Sequence, residues 1–261
     1  MNQDREKEHE TENQGMSLTE HLTELRRRII WIVAMLVVSM IGGFFLSVPV
    51  LDFLKGVGHA KDTVWHALSP GDSIRIYMQL AFFIAVGITL PFTLYQLWAF
   101  VRPGLHPAER KATLKYIPIS VLLFLAGVAF AYLVVFQMAL EFAIRLNRSL
   151  HVEEMYGINQ YFSFMLNIVM PVALLFELPV LIMFLTKLRI LNPLRLKKMR
   201  RYAYFVLVVL STLIAPPDLM SNLLIVLPLI LLYELSVTLS RRIYRKQLEA
   251  EKRWEAEYGA K

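Results

Sequence analysis

One carboxylate constrains this chain more than any other residue. Residues 161–185 carry no charge except Glu177, in the tract Leu175-Phe176-Glu177-Leu178-Pro179. A run of that length and apolarity matches a bilayer core of ~30 Å. An ionised carboxylate at that depth costs roughly 2.5–3.5 kcal/mol on insertion scales. A sequence carries such a group when a water-filled cavity, a cationic partner or a neighbouring helix compensates it. The chain therefore reads as a membrane protein with something polar to do inside the membrane.

The rest of the sequence agrees. Of the 261 residues, 56% are hydrophobic, a share that soluble domains rarely reach. At about 20 apolar residues per crossing, six spans are expected, at about 29–48, 76–100, 116–136, 161–185, 202–215 and 219–239. They leave little chain for a separate soluble domain. The expected organisation is a polar, disordered extension (1–15), one all-α six-span domain (16–240) and a cytoplasmic tail (241–261). No internal repeat is visible, against an inverted-repeat transporter. There are no cysteines, so disulfide and thiolate chemistry are excluded.

The net charge of +7 would suggest nucleic acid in a soluble protein. Here the cations read as topology signals, with no nucleic-acid role. Arg26, Arg27 and Arg28 precede span one; Arg102, Arg110, Lys111 and Lys115 lie between spans two and three. Seven more, from Lys187 to Arg201, lie between four and five, and Arg241, Arg242, Arg245 and Lys246 follow span six. The alternate connections are poorer in Lys and Arg and balanced by acids. The positive-inside rule puts both termini in the cytoplasm, as an even number of spans requires.

Local signals refine the spans. Leu18, Leu22 and Leu25 form one helical stripe, and Ser17 with Glu20 resembles a capping box. A short amphipathic helix is expected there, lying on the membrane face and leading into span one. Pro91, Pro118, Pro171 and Pro179 kink spans two to four and free backbone carbonyls. Three kinked helices in sequence favour a concave wall. Span five, ended by Pro216-Pro217-Asp218, covers about 21 Å and falls about 9 Å short of the core. Either it sits under a locally thinned bilayer, or its helix extends into the basic loop with Arg200 and Arg201 snorkelling.

Several tracts resemble one family closely. His21-Leu22-Thr23-Glu24-Leu25-Arg26-Arg27-Arg28 precedes span one. Leu94-Tyr95-Gln96-Leu97-Trp98-Ala99-Phe100-Val101 and Pro103-Gly104-Leu105 close span two, followed by Glu109-Arg110-Lys111. Phe176-Glu177-Leu178-Pro179 lies in span four, and Pro216-Pro217-Asp218 joins spans five and six. In this order and layout, from Met16 to Arg245, the chain resembles TatC, the multispanning receptor subunit of the twin-arginine protein translocase, in the style of Gram-positive members. The resemblance implies a cupped, glove-like fold in the bacterial cytoplasmic membrane. It implies recognition of folded precursors through signal peptides bearing two consecutive arginines. It also implies assembly, with itself and with single-span TatA-type and TatB-type partners, and use of the proton-motive force.

A site for paired arginines needs carboxylates that take a guanidinium bidentately. On the basic face the acids near the membrane are Glu20, Glu24 and Glu109. The resemblance selects Glu24 and Glu109, with Phe100 as a wall and Arg26 and Arg110 beside them. On the residues alone, Glu24 also suits an i,i+4 pair with Arg28, Glu109 the first turn of span three, and Phe100 an interfacial aromatic. Arg26 and Arg110 also suit plain topology anchors. Glu177 reads either as a polar point in the concave face, for a partner helix or for water, or as a protonated acid bonded to a neighbouring helix. Asn222 stands where the family commonly carries Gln, so an expected partner contact there has a shorter reach. Pro216, Pro217 and Asp218 read as a tight external turn, with Asp218 as its cap.

Rival readings have less support. A proton-coupled secondary transporter of a small solute would use Glu177, but the next intramembrane acid is Glu234, near the far end of span six. Gly71-Asp72-Ser73-Ile74 lacks the second glycine of a protease nucleophile tract. His9-Glu10-Thr11-Glu12-Asn13 misses the second histidine of a zinc motif. No glycine-rich phosphate loop is present. No enzymatic activity, cofactor or metal is expected.

Overall fold

The computed structural model describes residues 18–61, 63–102, 114–153, 155–187, 189–214 and 219–258. Among them there is no β-strand, only an isolated bridge between His66 and Gly157. The fold is all-α. Helix α1 (Leu18–Lys55) has 38 residues and absorbs the amphipathic leader and the first span into one rod. No Gly or Pro interrupts residues 18–41, so nothing in the sequence separates the two. Helix α2 (Asp72–Val101) returns, with Pro91 inside it. The buried Asp72 carboxylate fixes its start by accepting the Leu68 and Ser69 amides, each at 2.9 Å.

Helix α3 (Tyr116–Phe130) continues through a π-helical turn (Ala131–Phe136) into α4 (Gln137–Ser149). Helices α5 (Ile158–Leu175) and α6 (Leu178–Lys187) then share one crossing. A short α7 (Pro193–Lys198) precedes α8 (Arg200–Ile214) and the 40-residue α9 (Leu219–Tyr258). α7 is set by local chemistry: Pro193 opens it, and the Asn192 side chain accepts the Leu194 amide at 2.9 Å.

Five stretches are long and apolar enough to cross a membrane: Leu22–Lys55, Asp72–Phe100, Tyr116–Ser149, Ile158–Lys187 and Asn222–Glu249. The remaining expected span is α8. It begins two residues earlier than expected, but its 15 residues give about 22 Å, still short of the ~30 Å core. The two added residues are Arg200 and Arg201, so the helix does reach into the basic loop, while Arg195, Lys197 and Lys198 before them form the separate α7. The last helix continues without a break past residue 240, into the segment expected as a tail, as far as Tyr258.

The α5–α6 crossing lies at the centre. Half of its most apolar window is buried, against 11% for α1, which is therefore peripheral. Phe136, Phe162, Val172, Val180, Leu229 and Val237 are fully buried and join α5 and α6 to the π turn and α9. α1 is held to α2 by close backbone approach: a Cβ on Gly43 would lie 2.5 Å from the Ala81 carbonyl oxygen. Gly127 of α3 likewise admits Phe176, whose Cβ would lie 2.8 Å from an added methyl. That contact seats the residue just before Glu177.

Candidate functional site

Glu177 sits at a break in the central crossing. Pro179 has no N–H and its ring conflicts with the carbonyl of Leu175, four residues back. The chain answers with a turn: the Phe176 amide reaches the Val172 carbonyl and the Glu177 amide that of Leu174, both at 3.1 Å. The Glu177 carbonyl then accepts the Leu181 amide at 3.0 Å, opening α6. The kink expected at Pro179 thus appears as a two-residue turn, Phe176–Glu177, between α5 and α6, with the carboxylate on it. Ten residues on, at about 1.5 Å each, α6 ends at Lys187.

The carboxylate faces a cavity of about 340 Å³ between α1, α2 and the break. Ile32 and Leu36 of α1 line it, with Val86, Leu90, Leu94 and Leu97 of α2 and Leu174 and Leu181 flanking the break. Two polar atoms on this apolar wall are buried without a hydrogen-bond partner, Glu177 Oε1 and Thr89 Oγ1. Thr93, also on the wall, bonds its own helix at the Thr89 carbonyl, 3.0 Å away. The Glu177 oxygen is therefore not taken by a neighbouring helix. A buried polar atom left unsatisfied costs about 1–3 kcal/mol. The geometry suits an incoming group that supplies a hydrogen bond, or water.

A second cluster forms where α1 begins and α2 ends. Arg28 Nε donates to Glu24 Oε1 at 2.8 Å, and Nη2 lies 2.6 Å from the same oxygen. Arg28 Nη1 donates to Gln96 Oε1 at 2.9 Å. The i,i+4 pair expected for Glu24 is thus present, and it is extended across to α2. Phe100 is half-buried one helical turn beyond Gln96, on the same face of α2. Arg26 is exposed; two residues from Glu24, it does not share that side of the helix. Glu109 and Arg110 lie outside the described residues, as do Pro216, Pro217 and Asp218.

The α8–α9 hairpin is tied at both ends by side chains. Toward the turn, Ser211 Oγ donates to Asn222 Oδ1 at 2.6 Å, and Asn222 Nδ2 donates to Thr212 Oγ1 at 2.9 Å. Asn222 therefore spends its amide inside the hairpin. At the other end Glu234 accepts Arg200 Nη2 at 2.6 Å and the Tyr204 hydroxyl. The Tyr233 hydroxyl donates to the Leu196 carbonyl at 3.0 Å. Thr186 and Ser240 hydroxyls, 2.7 Å apart, pin α6 to α9. Sequence reasoning missed Gln96, Thr89 and the Arg200–Glu234–Tyr204 group. An amide inside Leu94-Tyr95-Gln96-Leu97-Trp98 was the one visible hint.

These features define a multi-pass helical membrane protein with one polar site inside the membrane and one at its basic end. The family model for the Sec-independent protein translocase protein TatC matches residues 20–228. A TatC of Halalkalibacterium halodurans is 48% identical over 93% of this chain and 96% of its own length. TatCy of Bacillus subtilis is 46% identical over 88% of this chain and 91% of its own. A crystal structure of the twin-arginine translocase receptor TatC, in the detergent DDM, superposes with a TM-score of 0.73. It is 31% identical and covers 85% of this chain and 99% of the crystallised one. The chain belongs to the TatC family.

Proposed function

We propose that this chain is the receptor and core subunit of a twin-arginine translocase in the bacterial cytoplasmic membrane. It binds the signal peptides of folded precursors and moves them outward at the expense of the proton-motive force. Its termini and its basic end face the cytoplasm, in keeping with the positive-inside rule. One observation carries the reading. The Glu24 tract and the Gln96–Phe100 tract, far apart in sequence, meet at the basic end, bridged by Arg28. A carboxylate, a buried amide and an aromatic ring together suit a guanidinium with an apolar segment behind it. Glu24 and Glu109 are the proposed ligands of the arginine pair, with Phe100 as the wall and Arg26 and Arg110 setting the surrounding charge.

Glu177 and its cavity are proposed to receive a single-span partner of the TatA or TatB type, or water recruited beside it. The unsatisfied Glu177 and Thr89 oxygens support this. Asn222 is proposed as a hairpin bridge first and a partner contact only in addition, since its amide is engaged. Residues 1–15 are proposed as a polar cytoplasmic extension and 241–261 as a cytoplasmic tail, into which α9 continues as far as Tyr258. The transporter alternative gains no support: Glu234, its second acid, is locked to Arg200. No bond-breaking chemistry is proposed; specific cleavage of a labelled membrane substrate by the pure protein would contradict that.

The test is binding of a twin-arginine signal peptide to the purified protein, against its twin-lysine version. Preference for arginine that is lost in Glu109→Ala and weakened in Glu24→Ala is expected. Equal binding of both peptides, with the single-span partners present, would refute the receptor reading.

A further inference from the structure

One oxygen of the Glu24 carboxylate is occupied. Oε1 takes both Arg28 Nε, at 2.8 Å, and Arg28 Nη2, at 2.6 Å. The two side chains are 27% and 26% exposed, so the pair is partly sheltered from solvent. The third guanidinium nitrogen is held from the opposite side by Gln96, which is 7% exposed. Arg28 thus takes one of the two oxygens that a bidentate arginine from outside would use. We infer that Arg28 is an internal competitor for the guanidinium site at Glu24. In the empty receptor it fills the site, and a signal-peptide arginine enters by displacing it while Gln96 retains the displaced side chain. This inference rests on the proposal that Glu24 binds the arginine pair.

An internal competitor has a definite signature. If the closed arrangement is favoured over the open one by a factor K, every ligand at that carboxylate is weakened by 1 + K, whatever its own affinity. For an i,i+4 Glu–Arg pair at the strong end of the usual range, K is about 2. Removing the competitor therefore tightens binding about three-fold. It does so equally for arginine and lysine peptides, so discrimination between them does not change. A residue that merely supports the fold would weaken binding when replaced. A general loss of positive charge would act the same way at an exposed neighbour such as Arg27.

The experiment titrates fluorescent twin-arginine and twin-lysine signal peptides onto the full-length protein in nanodiscs. The variants are Arg28→Gln, Arg28→Lys, Arg27→Gln, Glu24→Gln and the Glu24→Gln/Arg28→Gln pair. Arg28→Lys keeps the charge and the membrane anchor but loses the forked contact, so it tests the idea with little risk to folding. Expected are about three-fold tighter binding for Arg28→Gln, a smaller gain for Arg28→Lys and an unchanged peptide ratio. No gain from Arg28→Gln is expected once Glu24 is already Gln. Arg28→Gln binding no tighter than Arg27→Gln, or a gain that persists without the Glu24 carboxylate, would overturn the inference. If Glu24→Gln alone leaves binding intact, the Glu24 reading itself falls. If Glu24→Gln weakens binding and Arg28→Gln does not tighten it, the competitor alone falls.

Discussion

Replacing Glu234 tests how the short α8–α9 hairpin is held. Its carboxylate takes Arg200 Nη2 at 2.6 Å on one oxygen and the Tyr204 hydroxyl on the other. Both charged side chains are 34% exposed, between a surface pair and a buried one. A surface pair contributes about 0.2–1 kcal/mol. Breaking a buried pair costs about 3–5 kcal/mol. Screening at this exposure argues for the lower half of that span, near ~1.5 kcal/mol. Arg200 Nε is buried with no partner, so the stranded guanidinium finds no substitute within the site. Glu234→Gln keeps an acceptor for Tyr204 and should cost about 1.5 kcal/mol. Glu234→Ala also loses the tyrosine bond, worth about 1.5 kcal/mol to a charged acceptor, and should cost about 3 kcal/mol. The assay is thermal unfolding of the detergent-purified protein, run as a double-mutant cycle with Arg200→Gln. A coupling of about 1 kcal/mol or more is expected. Additivity of the two single changes within about 0.3 kcal/mol would refute the claim that this pair holds the hairpin.

Four further outcomes follow from packing and hydrogen bonding. Gly43→Val should loosen α1 from α2, by about 1–3 kcal/mol, because a Cβ there meets the Ala81 carbonyl at 2.5 Å. Gly42→Ala, with nothing within 4 Å of its Cβ, should be neutral or stabilising in the same thermal assay. Asn222→Ala removes both bonds to Ser211 and Thr212. Spin labels on α8 and α9 near the turn should then report a broader distance distribution; an unchanged one would contradict a bridging role. Pro179→Ala restores an N–H opposite the Leu175 carbonyl. Hydrogen exchange at residues 176–178 should slow as α5 and α6 fuse, and equal exchange in the two proteins would show that proline is not the cause of the break.

What the sequence disclosed and what it hid divide by the range of the interaction. Hydropathy runs and proline positions act on the residues beside them. They gave the helical class, the shortness of α8 and the disturbance at Pro179. Boundaries were lost where no local signal marks them. The amphipathic leader merges into α1 and the tail into α9 because neither junction carries a helix breaker. The turn at Glu177 was legible as a kink because Pro179 acts on its own helix, whereas the seating of Phe176 against Gly127 on another helix was not.

The polar groups follow the same rule. The Glu24–Arg28 pair was legible because four residues on a helix is a fixed geometry. Gln96, 68 residues from Arg28, was not, since only the antiparallel packing of α1 on α2 brings it there. Arg200 and Glu234, 34 residues apart, looked like a topology anchor and a stray intramembrane acid. Paired, they remove each other from consideration as free charges. Glu177 is left as the acid in the described membrane crossings whose buried oxygen has no partner. The same packing therefore does two things at once: it neutralises Glu234 within the chain and leaves the Glu177 oxygen at the α1–α2 cavity without a partner.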